Sequence, residues 1–154
     1  MTTYKLPAAL AEIVEDFQAL DEPERLQLLL EFSRSLPPLP ERLKDHPELL
    51  EQVVECQSPL FLTVEAEKHD DGDRVRLYFQ APPEAPTTRG FASVLFDGLD
   101  GLTAEEILAV PDDMPHQLGL TRAITPLRMR GMTAMLGRIK RKVAGGLRAI
   151  EPTA

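Results

Sequence analysis

The 154-residue chain holds a single cysteine, Cys56. One thiol excludes an intramolecular disulfide, and with it a structural zinc or iron–sulfur site built on several thiolates. Histidine is nearly as scarce. His46, His69 and His116 are scattered without the spacing of a ligand set, so no bound metal is expected. No stretch is long and apolar enough for a transmembrane helix. The opening Met1-Thr2-Thr3-Tyr4-Lys5 lacks a basic region leading into an apolar core, so no signal peptide is expected. A cytoplasmic address without a membrane partner is the default expectation. Positive charge is in deficit: 17 Lys and Arg face 25 Asp and Glu, for a net charge of -8. That balance argues against a nucleic-acid partner. Internal repeats are also missing.

What remains, 43% hydrophobic and 27% charged residues, suits one soluble domain with a proper core. We expect a single domain over 1–154, its core at about 8–145 and its termini short and flexible. Charge is uneven along the chain. Residues 1–55 carry 5 Lys and Arg against 12 Asp and Glu, whereas residues 126–154 carry 7 against 1. Such polarity suits electrostatic docking to another protein; two solvated helix faces are the alternative.

Leu10, Ile13, Val14 and Phe17 fall at i, i+3, i+4 and i+7, which predicts a helix from about Pro7 to Leu20. Asp21 and Glu24 form a capping-box pattern for a second helix, stopped by Pro37-Pro38-Leu39-Pro40. Residues 41–55 read as an irregular, partly helical connection. From Leu60 the period becomes two: Leu60, Leu62, Val64 and Ala66 share one face, Thr63, Glu65 and Glu67 the other. After the turn Asp70-Asp71-Gly72-Asp73, whose spacing does not fit a calcium loop, Val75, Leu77 and Phe79 alternate with polar residues. The pattern predicts a β-hairpin with one buried face that needs further cover. Helices follow at about Thr88–Phe96, after Thr103 with Glu106 as a capping box, and from Thr125-Pro126 to Gly145-Gly146. Met129, Met132, Leu136, Ile139 and Val143 form the last helix's apolar stripe. Arg138, Lys140, Arg141 and Lys142 would complement its dipole. The fold class is α+β, a small antiparallel sheet with N- and C-terminal helices packed on it.

Cys56 lies on the segment entering the first strand. A lone cysteine is by itself more often a small core residue than a nucleophile. Its neighbours carry more. Cys56-Gln57-Ser58 before an apolar strand resembles the C-Q-S motif of the SufE family, partners of cysteine desulfurases. Phe32-Ser33-Arg34-Ser35-Leu36-Pro37 resembles that family's helix end and Leu-Pro turn. Arg89-Gly90-Phe91, Thr103-Ala104-Glu105-Glu106-Ile107, Thr125-Pro126-Leu127-Arg128 and Gly131-Met132-Thr133-Ala134-Met135-Leu136 resemble its later helices, in the same order. One position departs: the family often has Gly where this chain has Glu55.

The resemblance implies a SufE/IscU-like fold and a sulfur-transfer accessory protein rather than an independent metabolic enzyme. Cys56 would accept persulfide sulfur from a SufS-like, pyridoxal-phosphate-dependent cysteine desulfurase, stimulate it, and pass the sulfur to iron–sulfur cluster assembly. An iron–sulfur scaffold would be a further partner. The phosphate cofactor would belong to the desulfurase, this chain binding none, and a monomer or weak homodimer is expected. Gln57 and Ser58 would position the loop by closing a turn. Arg128 and Arg89 are candidate partner contacts, weighed against solvated positions, with Arg89 reading first as solvated. Val53, Val54, Leu60 and Phe61 would shelter the thiol, and Glu55 would oppose its ionisation. The alternative function is a protein–protein binding module without thiol chemistry. A thiol hydrolase would need a base, and no Cys–His pairing is identifiable.

Overall fold

The computed structural model describes residues 6–56 and 58–150. The expectation of flexible termini, and the turn role of Gln57, lie outside these residues. Helix α1 (Ala8–Gln18) buries Leu10, Ile13, Val14 and Phe17, the face set by their spacing. Helix α2 (Glu22–Phe32) begins where Asp21 accepts the Glu24 N–H at 3.2 Å. Of its apolar residues only Leu29 is fully buried, because α2 lies on the outside of α1 and α4. Helix α4 (Pro86–Leu99) extends beyond the expected 88–96 at both ends. Pro86 sits in its first turn, where the missing N–H costs nothing. Gly90 lets α2 approach α4: a Cβ there would lie 2.3 Å from the Leu29 carbonyl oxygen.

Strands β2 (Phe61–Glu67) and β3 (Arg74–Gln80) form the expected hairpin, with Leu62 opposite Phe79, Val64 opposite Leu77 and Ala66 opposite Val75. The other edge of β2 is shared by two strands the period-two pattern was too short to reveal. Strand β1 (Glu51–Gln52) pairs antiparallel with its start, and β4 (Arg148–Ala149) pairs parallel with its far end. This corrects the expectation of one buried face. Thr63 and Glu65 are buried too, because β2 is the central strand. Arg42 of α3 (Glu41–Lys44) meets the Glu65 carboxylate with two bonds, at 2.5 and 3.1 Å, so the buried charge is paired.

Helix α5 (Ala104–Leu108) opens with the full capping box: Thr103 Oγ1 accepts the Glu106 N–H at 3.2 Å, and Glu106 accepts the Thr103 N–H at 3.1 Å. Helix α6 (Pro126–Ala144) is N-capped by Thr125 and buries Met129, Met132, Met135, Leu136, Ile139 and Val143. Its methionines are therefore core. Helices and sheet share one hydrophobic cluster, the α+β arrangement expected. Among the described residues no helix is long and apolar enough to cross a membrane.

Candidate functional site

Between β1 and β2 the chain makes a short 3-10 turn, Val54–Cys56. The base of this loop is firm. The Val53 N–H donates to the Leu60 carbonyl at 2.9 Å, and both side chains are fully buried. The Cys56 N–H turns back onto the Val53 carbonyl at 3.1 Å. The turn Val54–Cys56 lies past that base as a tip. Among the tip's described residues, Cys56 is the one that is buried. Val54 points outward, 62% exposed, so it does not shelter the thiol; the tight turn directs it away from the core. Val53 and Leu60 do lie beneath the tip, and Phe61 is half-buried. The bond described at Ser58 is made by its carbonyl, which accepts the Leu60 N–H at 2.6 Å.

The cover over Cys56 comes from α6, which the flanking sequence could not show. Its Sγ donates to the Gly131 carbonyl at 3.6 Å. A Cβ at position 131 would lie 3.0 Å from Cys56 Cα and 3.3 Å from Sγ, so only glycine leaves the seat undisturbed. A glycine inside a helix costs roughly 0.5–1 kcal/mol, and that anomaly was the one available signal. Burial pushes the Cys56 thiol up to about 11; the Glu55 carboxylate adds to this and Arg138 opposes it. The resting side chain is therefore a thiol, not a thiolate.

Glu55 does not stand alone. Arg138 of α6 donates to Glu55 at 2.7 Å and also to Glu51 of β1, while Lys142, one turn on, reaches Glu51 at 2.8 Å. Lys140 donates to the Val110 carbonyl at 2.5 Å and to Asp112 at 2.7 Å. These cations, expected to face the helix dipole, are engaged by specific acceptors. The hydrogen bond from Arg138 lowers the Glu55 carboxyl, and Lys142 first, then Arg138, lowers that of Glu51.

Arg128 lies one turn before Gly131, is exposed, and donates to Thr87 Oγ1 at 2.6 Å, joining the first turns of α6 and α4. Arg89 is not the solvated residue first expected. It is half-buried and donates to the Ser33 carbonyl at 2.8 Å and the Ala81 carbonyl at 2.6 Å, tying α4 to the end of α2 and the exit of β3. Helix packing brings its guanidinium over two chain ends that the linear sequence keeps apart.

A family profile described as "SufE: Fe-S metabolism associated domain" matches residues 11–143. The chain belongs to the SufE family. Over 138 residues it is 56% identical to an uncharacterized SufE-like protein of Mycobacterium tuberculosis, covering 90% of this chain and 93% of that one. It is 27% identical to the cysteine desulfuration protein SufE of Plasmodium vivax, covering 89% of this chain and 53% of that one. The solution structure of a hypothetical protein from Thermus thermophilus superposes with a TM-score of 0.75 at 39% identity, covering 92% and 97% of the two chains. Membership of this SufE family places the chain in Fe–S metabolism.

Proposed function

We propose that this SufE-family protein accepts sulfur on Cys56 from a pyridoxal-phosphate-dependent cysteine desulfurase, stimulates that enzyme, and delivers the sulfur to iron–sulfur cluster assembly. The reading is supported chiefly by one observation: the chain's single thiol is the one buried side chain among the described residues of a turn between two strands. The base is anchored by the Val53–Leu60 bond, so the turn at Val54–Cys56 could move without unravelling β2. Exposing one small side chain and releasing one ion pair costs on the order of 1–3 kcal/mol, within reach of a docking partner.

The transfer balances without an oxidant. Cys56 gives up its proton and its thiolate attacks the terminal sulfur of the desulfurase's cysteine persulfide. A new S–S bond forms at Cys56, the bond within the donor persulfide breaks, and the donor cysteine leaves as a thiolate that regains a proton. Nothing is oxidised or reduced overall. At rest the raised pKa keeps Cys56 poorly nucleophilic and protected from oxidation. In the desulfurase's pocket the tip would leave Gly131 and the thiol would ionise, so the partner supplies the activation.

The test is Cys56→Ser. The variant keeps the shape of the seat and should fold with an unchanged melting transition, yet lose all stimulation of a cognate desulfurase. Stimulation equal to wild type would remove the acceptor role and favour a binding module.

A further inference from the structure

We infer that Arg138 is a positioning residue for the transfer: it latches the Cys56 tip shut by bridging Glu55, which moves with the tip, to Glu51, which stays with the sheet. The inference deepens the proposed role of Cys56. Three observations carry it. Glu51 is fixed, paired in β1 opposite Leu62 and held by Lys142 at 2.8 Å as well as by Arg138. Glu55 lies beyond the Val53–Leu60 base, so no strand pairing holds it; its described side-chain bond is the one at 2.7 Å from Arg138. Arg138 itself is only 16% exposed, and its buried Nε has no partner among the described residues.

The spacing along α6 completes the device. Gly131 and Arg138 are two turns apart and so lie on one face of the helix. Gly131 receives the thiol, and Arg138 holds the side chain immediately before it. A planar guanidinium can bind two carboxylates at once, one from each end of its fork. Glycine at position 55 could not be held this way. Arg138 touches neither sulfur nor substrate and acts through the tip.

The latch and a purely electrostatic role make opposite predictions. Arg138 opposes the rise in the Cys56 pKa, so a residue acting only through charge would slow thiol modification when removed. A latch would speed it. The measurement is the rate of Cys56 modification by 4,4′-dithiodipyridine in the free protein, divided by the rate for glutathione under the same conditions. Arg138→Gln should raise this ratio about two- to fivefold. An unchanged or lowered ratio for Arg138→Gln would overturn the latch. If that variant does not fold, Arg138→Lys decides. It keeps the charge but not the two-armed fork, and should modify faster than wild type; an equal or slower rate counts against the inference. No desulfurase is present, so the latch can fail while the acceptor role stands, and the reverse.

Discussion

At the scale of the residue, the account turns on one proton. Burial beneath α6 and the neighbouring Glu55 push the Cys56 thiol up to about 11. A raised acid pKa means that the closed seat binds the proton more tightly than the exposed loop does. Its contribution to the closed state is complete below the ordinary thiol range and is lost as pH rises through about 11. The alkylation rate of the free protein should therefore keep climbing with pH towards that value. A plateau near the ordinary thiol pKa of about 8.5 would show an already open tip. Cys56 and the effect of Glu55 were legible because they are neighbours in sequence. Gly131 and Arg138 were not, since they reach the thiol's surroundings across 75 and more residues and only through the packing of α6. Arg89 shows the same limit: it reads as a surface cation until its two carbonyl partners come together.

At the scale of the element, the turn at Val54–Cys56 packs its backbone on α6 at Gly131, and its side chains add one buried thiol, a sulfur contact of 3.6 Å and one carboxylate. A partner that favours the open arrangement shifts the population by its differential affinity. Labelling of Cys56 with an alkylating reagent should thus accelerate when a desulfurase is added whose own cysteine has been replaced and which leaves the thiol accessible. Fast labelling of the free protein, unchanged by the partner, would contradict the sheltered tip while leaving the acceptor role intact. Helices were readable here because their signals are local: the box at Thr103 and Glu106, the Thr125 cap, the i, i+3, i+4 faces. Strands β1 and β4 were not. Two residues carry no period, and each exists only because β2 has an edge to pair with.

At the scale of the whole molecule, the charge polarity seen along the sequence is partly consumed by folding. Glu51 and Glu55 of the acidic segment meet Arg138 and Lys142 of the basic one. Arg128 and Arg130 remain exposed near the start of α6, on the helix that carries Gly131. Exposed charges act mainly on encounter and are screened over about 8 Å at physiological ionic strength. The association rate constant with a desulfurase should fall as salt is raised, and a salt-independent rate would leave these cations with no part in docking. The central claim, that Cys56 carries sulfur, is tested most directly by intact mass. After incubation with a cognate desulfurase, pyridoxal phosphate and L-cysteine, the protein should gain the mass of one sulfur atom. The gain should map to Cys56, disappear on reduction and be missing in Cys56→Ser. A wild-type protein that gains no sulfur under conditions where the desulfurase turns over would contradict the account.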